Sequence, residues 1–463
     1  MNNLVNLSKV EYHLYKADCG LRLLLIPNSY ATIISYGAYI SVGSLDENDD
    51  ELGVAHFLEH MMFKGSKHYP GKKLVETLDN LGTMYNASTT YESTDYELHS
   101  LPQYHEISLN ILLDMYYNPN IPEDAVNNER KIILEEYKMR KDNKSYKQYI
   151  NFLKLITKEQ NKKYNRPIIG TRESINKLNI NDLNRFRNKY NDYTKTIITI
   201  SGCFNKDETL KMIKNIYQNI TKTEINFFID TTKLKEVIDD KIELSFNHSL
   251  KIKLMDRYIY EKVDSEQTLI QIAFPAWFKF HENNLYLNIF SSILTDGMSG
   301  RITKVLRENN GLSYSQNSYL DTYDTFGVFN ISIGVNAEKI YFALKLIFDV
   351  LNEVYRNGIN EAELNKTKNY NLMGLLVYFQ KQSSYFSYFT ESLFKYKKLE
   401  TVDEIIDKYN KITINDVNNI IKQIINPKQM YISVVGSSKP NNKKIQKMFN
   451  YFNKLINRQI TER

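Results

Sequence analysis

The sequence predicts an α+β fold of two tandem homologous domains, each a mostly antiparallel sheet covered by helices. Three observations carry that prediction. The first is an internal repeat. Leu178–Leu183 (LNINDL) is similar to Ile412–Val417 (ITINDV), and Thr196–Gly202 (TIITISG) to Met430–Gly436 (MYISVVG), both at an offset of 234 residues (412 − 178 and 430 − 196). Self-similarity at one offset and in one order marks a duplicated unit. The second is the interleaving of short alternating stretches with longer helical patterns in both halves. The third is size: 463 residues, 42% hydrophobic and 25% charged, exceed one small core and suit a soluble multidomain chain.

Taken in order, Leu21–Ile26, Ile34–Val42, Tyr96–Leu101 and Thr196–Gly202 alternate as strands, and Ile34–Ser44 falls opposite a second-half strand at Thr268–Phe278. Helical periodicity runs through Lys72–Leu81, Glu106–Tyr117 and Glu123–Lys141, and amphipathic helices follow both repeat glycines, near Glu208–Ile220 and Asn441–Leu455. Consecutive strands lie close enough for antiparallel pairing, which favours helices on one sheet face over a doubly wound parallel sheet. Tyr146–Tyr164 is Lys- and Asn-rich, and its pattern fits either a helix or a solvated connection. Periodicity fades across Thr221–Ser245, so the expected division is a first domain of 1–222, a linker of 223–245 and a second domain of 246–463.

Composition excludes several function classes. Sixty Lys+Arg against 54 Asp+Glu leave a dispersed formal charge of +6, too little for a dedicated nucleic-acid binder. Two cysteines, Cys19 and Cys203, cannot staple a secreted scaffold or build a Cys-rich zinc finger, and they suit a reducing compartment. No apolar run approaches the roughly 18–20 residues of a membrane helix. The N-terminal residues show neither a secretory signal nor an Arg-rich presequence, since Glu11 and Asp18 precede the first arginine, Arg22. A soluble, intracellular, cytoplasmic protein without membrane insertion is the expectation.

The chemistry is concentrated in His56-Phe57-Leu58-Glu59-His60. On a helix, positions i and i+4 share a face, so both imidazoles can reach one ion while Glu59 addresses a water beside it. The order reverses the common H-E-x-x-H zinc-protease motif. Two solvated helix-face histidines are the alternative, but Val54, Ala55, Phe57, Leu58, Met61, Met62 and Phe63 make the helix apolar. Burying a carboxylate and two imidazoles there costs several kcal/mol unless an ion satisfies them. A catalytic zinc needs a third protein ligand and an open position. Glu129 and Glu136, seven apart on the helix pattern around Ile132 and Ile133, share one face and both qualify. One as ligand and the other as supporting carboxylate is the economical arrangement; helix position does not say which.

Beyond the motif, Gly53–Gly65 (GVAHFLEHMMFKG) resembles the pitrilysin-type inverzincin zinc metallopeptidases, in particular their compact bacterial members and the β subunit of mitochondrial processing peptidase. The resemblance covers nearly the whole chain. In that family a glutamate about 76 residues past the second histidine is the third ligand. Glu136 stands at that distance from His60 (136 − 60), which selects it as ligand and leaves Glu129 as the supporting carboxylate. Asn86–Tyr96 (NASTTYESTDY) is similar to the family's edge strand, where backbone around Asn86 and Ala87 pairs with an extended substrate. The segment Asp296–Ser315 matches a region where active members aim an arginine and a tyrosine, seven apart, at the scissile carbonyl; Arg307 and Tyr314 have that spacing.

The resemblance implies a metalloendopeptidase acting on peptides or unfolded polypeptide segments. Zn²⁺ is held by His56, His60 and Glu136, Glu59 is the general base, and Arg307 and Tyr314 stabilise the oxyanion. It also implies that each chain is one half of a clamshell chamber. A homodimer suffices, because both site elements are present; a heterodimer with a separate partner is the other arrangement. Leu294–Arg301 is not the glycine-rich loop of the family's substrate-binding subunit. A non-catalytic assembly subunit of the same fold is the rival function. At offset 234, His56, Glu59, His60 and Glu136 fall opposite Phe290, Ile293, Leu294 and Tyr370, so one half is expected to hold metal and the other not.

Overall fold

The computed structural model describes residues 11–157, 162–230, 254–279, 281–396 and 399–457. Two compact units emerge, one drawn from Met1–Met139, Arg166–Glu236 and Leu375–Ile405, the other from Arg140–Asn165, Val237–Gly374 and Ile406–Arg463. Twelve strands are described: β1 His13–Ala17, β2 Arg22–Pro27, β3 Ile34–Ile40, β4 Met84–Thr89, β5 Thr94–Ser100, β6 Thr196–Gly202, β7 Phe227–Ile229, β8 Tyr258–Lys262, β9 Gln267–Ala276, β10 Gln316–Thr322, β11 Gly327–Asn336 and β12 Tyr431–Gly436. The first unit's sheet runs β4-β5-β3-β6-β2-β1-β7 and the second's β10-β11-β9-β12-β8. All pairings are antiparallel except β2 with β6 and β8 with β12.

The repeat survives in the register of the central pairs. Gly37 lies opposite Thr199 in one sheet, and Gln271 opposite Ser433 in the other, each residue displaced by 234 (271 − 37 and 433 − 199). The edge strands β4 and β10 therefore occupy equivalent ends of equivalent sheets.

On one face of the first sheet, Tyr36, Ala38, Tyr96 and Leu98 join the core formed with the Val54–Met62 and His105–Tyr117 helices. On the second, Ile270, Ile272 and Phe274 pack with the Asn283–Thr295, Ile340–Asn357 and Asn442–Asn457 helices. This is the single-sided covering expected from sequence, but one further helix lies on the remaining face of each sheet. Gln382–Tyr396, late in the chain, sets Phe386 against Tyr39 and His99 of the first sheet. Lys144–Ile156, from early in the chain, belongs to the second unit, where Asn151 donates to Glu261 of β8 and Tyr149 meets Tyr323. The undecided Tyr146–Tyr164 stretch is thus helical through Ile156, begun by the Asn143 side chain accepting from Ser145 and Tyr146 backbone N–H groups.

Strand ends differ slightly from the expected ones. Leu101, followed by Pro102, lies outside β5, whose last residue is Ser100; proline has no N–H for the ladder and ends the strand before it. Val42 lies beyond β3, and its carbonyl accepts from the Thr94 hydroxyl at 2.9 Å. Of the expected linker, residues 223–230 are described and include β7, paired with β1; 231–245 lie outside the described residues. No helix among the described residues is long and apolar enough to cross a membrane.

Candidate metal centre

The helix carrying the histidines starts at Gly53, whose φ of +89° suits glycine; a Cβ there would meet the Ile169 carbonyl oxygen at 2.6 Å. The Glu47 carboxylate caps it, accepting from Gly53 and Ala55 N–H at 3.0 Å each. A carboxylate at a helix N-terminus meets unsatisfied donors and the positive end of the macrodipole. Glu47 is 1% exposed, and burial pushes its pKa up to about 8 against the pull of those two backbone donors. The helix buries Val54, Ala55, Phe57, Leu58, Met61 and Met62 in the core.

That burial turns His56 and His60 toward the Glu123–Asp142 helix. Their rings are 4.7 Å apart, and Glu136 Oε2 lies 3.6 Å from Nε2 of each. One donor atom from each of His56, His60 and Glu136 lies within 4.8 Å of the others, the only such His/Cys/Asp/Glu group among the described residues. Ligands at about 2.1 Å in a tetrahedron stand about 3.4 Å apart, so these three fit a zinc-sized divalent ion after small side-chain adjustments.

Glu129, seven residues before Glu136 on the same helix face, meets the other ring nitrogen of His60. Its Oε1 is 2.8 Å from His60 Nδ1 and its Oε2 2.6 Å from Lys64 Nζ. The bond fixes Nδ1 as the protonated nitrogen and leaves Nε2 facing Glu136. Burial favours neutral forms of both groups, yet the pair overrides it. Glu129 is held below its ordinary value by His60 and Lys64, and His60 is pushed up to about 9 by Glu129 and Glu136.

Glu59 stands outside this donor group. Its Oε2 accepts from Thr89 Oγ at 2.5 Å, so the carboxylate points to the end of β4. Along β4, Asn86 pairs with Glu97 and Ala87 with Tyr96 of β5, and the opposite edge has no strand beside it among the described residues. Met84 is 72% exposed at the start of this edge.

Arg307 and Tyr314 belong to the second unit. Arg307 sits in the π-helical turn Lys304–Glu308, its guanidinium 5.1 Å from the Tyr314 ring centre, and Tyr314 is 80% exposed. The two form one cationic-aromatic surface feature.

Sequence reasoning missed Glu47 and Thr89. Thr89 reaches Glu59 from 30 residues away, while Glu47 folds back on the helix start only six and eight residues ahead of it, through a loop that follows no helical or strand period.

The family model for insulinase (peptidase family M16) matches residues 22–172, and that for the M16 inactive domain matches 177–371. The chain belongs to the M16 peptidase family. Relatives include an uncharacterized zinc protease of Bacillus subtilis, 26% identical over 89% of this chain and 95% of its own length. Another, from Mycobacterium leprae, is 25% identical over 90% of each chain. Among solved structures, a protease from Helicobacter pylori superposes with a TM-score of 0.77 at 18% identity, covering 92% of this chain and 99% of that one. The periplasmic protease PqqL from Escherichia coli gives 0.76 at 17% identity over 97% of this chain and 50% of its own. These structures share the fold of this M16 chain. The half that matches the inactive-domain model contains no His/Cys/Asp/Glu metal group among its described residues.

Proposed function

We propose that this M16 chain is a zinc-dependent metalloendopeptidase that hydrolyses peptides or unfolded polypeptide segments in an enclosed chamber. The observation that carries the reading is the convergence of His56, His60 and Glu136 beside a carboxylate, Glu59, that is outside their donor group. Three protein ligands with a neighbouring base is the composition of a catalytic rather than a structural zinc site. When bound, zinc supplies Lewis acidity toward the scissile carbonyl and the attacking water. Glu59 removes the water's proton and returns it to the leaving amine nitrogen. Glu129 fixes His60 in the tautomer that presents Nε2. The β4 edge at Asn86 and Ala87 takes the substrate backbone as an added strand. Arg307 and Tyr314, supplied by a second copy in a homodimer, donate to the carbonyl oxygen as negative charge develops.

Hydrolysis of a quenched peptide library by the purified chain, with and without chelator, tests this. Cleavage abolished by chelation and restored by zinc is expected, with Glu59→Gln retaining zinc and losing turnover by at least about 100-fold. One zinc per chain without cleavage of any peptide overturns the self-sufficient enzyme. It would favour a catalytic subunit that needs a separate partner, or an assembly subunit of the same fold.

A further inference from the structure

Thr89 links the open edge of the first sheet to Glu59. The contact is short, 2.5 Å from hydroxyl to Oε2, in the range of an O–H···O⁻ bond to a charged acceptor. It engages one carboxylate oxygen and leaves Oε1 for the proton of the attacking water. A glutamate side chain has three rotatable torsions, so a bond at its tip removes much of its freedom.

The donor is itself held in place. Thr89 pairs with Thr94, whose fully buried hydroxyl donates to Val42 O at 2.9 Å. The hairpin tip beyond it is closed by Thr90 N–H to Ser93 O at 2.8 Å. It is clamped by Ser44 N–H to Thr90 O at 3.1 Å and Leu45 N–H to Tyr91 O at 2.8 Å. Gly43 lies so close that a Cβ there would come within 2.5 Å of Ser93 N.

The second unit also ties its edge strand to a helix by a hydroxyl, but near the other end of the strand: at offset 234 (318 − 84) Ser318 falls opposite Met84, not Thr89. On its edge strand β10, Ser318 Oγ donates to Ser291 O at 2.8 Å and meets Thr295 Oγ at 2.8 Å, both on the Asn283–Thr295 helix. A hydroxyl from edge strand to helix is thus present in both units, but only in the first does it end on a carboxylate.

We propose that Thr89 is a positioning residue that holds Glu59 oriented for proton transfer, so that the strand docking the substrate also aligns the base. The proposal rests on the reading of Glu59 as general base. Substrate pairing uses the N–H and C=O groups of β4 and does not consume the Thr89 hydroxyl. Removing the hydroxyl is therefore expected to lower kcat and leave KM in place.

The test uses the zinc-loaded full-length protein and a quenched peptide substrate. Thr89→Val is expected to lower kcat by about 10- to 100-fold with KM and zinc per chain unchanged. Thr89→Ser is expected to recover most of that loss, and adding Thr89→Val to Glu59→Gln to cost nothing further. Thr89→Ala repeats the measurement if valine disturbs the hairpin, with thermal unfolding as the check. Wild-type kcat in Thr89→Val, with Glu59→Gln silent, overturns the proposal alone; so does a serine variant as slow as valine, or a change confined to KM. Turnover retained by Glu59→Gln removes the base itself, and this proposal with it.

Discussion

The two units place equivalent helix pairs at equivalent sheets and fill the junctions differently. In the first, Val54–Met62 meets Glu123–Asp142 through His56, His60, Glu129 and Glu136. In the second, Asn283–Thr295 meets Glu361–Tyr378 through a Ser292 to Asn371 hydrogen bond of 3.2 Å. At offset 234 the histidines and Glu59 become Phe290, Leu294 and Ile293, each no more than 1% exposed, with Phe290 stacked on Phe329 at 5.4 Å. Glu136 becomes Tyr370, which is 56% exposed. Glu129 alone keeps its type, as Glu363, but its partner is now Arg301, bound through both oxygens at 2.7 and 2.8 Å. One scaffold therefore supports a junction whose polar groups pair with one another, or one whose converging donors ask for an ion. Sheet register and helix placement do not distinguish the two; four side chains do.

The strongest way to break the comparison is to give the first unit the second's residue. His60→Leu, copying Leu294, is expected to abolish metal binding and to lower kcat/KM by at least about 1,000-fold, with the fold retained. Metal analysis and thermal unfolding check it. A variant that still binds one zinc per chain would show that the two junctions are not alternatives.

Glu129→Ala probes the position the units share. It removes the acceptor at His60 Nδ1 and leaves Lys64 unpaired, so zinc affinity is expected to fall about 10- to 100-fold. Competition with a chelator of known affinity measures it. Glu363→Ala should leave zinc affinity untouched, and a parallel loss there would contradict the separation of roles.

How much of this was legible in sequence follows from the range of each interaction. The duplicated units were legible, because the 234-residue offset is a property of strand order and carries into the register of Gly37 with Thr199 and Gln271 with Ser433. The histidine motif was legible because i and i+4 on a helix fix a shared face. Glu129 and Glu136 could not be told apart by periodicity, since a seven-residue spacing puts both on that face; what separates them is that Glu129 meets His60 Nδ1 and Glu136 faces Nε2. Glu47 and Thr89 were not legible. Glu47 caps the motif helix from the aperiodic loop just before it, and Thr89 reaches it from a strand end through tertiary packing. The helix at Lys144–Ile156 was ambiguous for a related reason: its polar Asn151 and Gln148 look solvated in sequence but are buried against a second sheet.

Protonation sharpens the contrast. In metal-stripped protein, burial lowers the affinity of His60 for its proton, but Glu129 and Glu136 more than offset that and carry its pKa up to about 9, above the unfolded value of about 6.5. A raised folded pKa contributes stability that is complete below the unfolded pKa and is lost as pH rises through the folded one. Metal-free protein should therefore lose stability between about pH 6.5 and pH 9, seen as a falling denaturation midpoint. His60→Leu should flatten that decline. Zinc titrated into wild type near pH 7.5 should release a proton, which calorimetry in buffers of different ionisation enthalpy detects.

The smallest expected effect lies in the second unit. Arg301 holds Glu363 bidentately with side-chain exposures of 16% and 21%, so the pair is only partly desolvated. Removing one member of a fully buried pair costs about 3–5 kcal/mol and of an exposed pair about 0–1. This geometry falls between, and Glu363→Ala should cost about 1–2 kcal/mol. Arg301 also donates to Gly358 O at 3.2 Å, so Arg301→Met should cost somewhat more than the glutamate variant. Urea denaturation of both single variants and the double variant gives the coupling energy directly. A coupling near zero would mean that Glu363 serves its helix through the Asn360 backbone N–H it accepts from at 3.0 Å, and not through Arg301. A coupling above 1 kcal/mol would mean that the second unit turned a metal-supporting carboxylate into an ordinary brace.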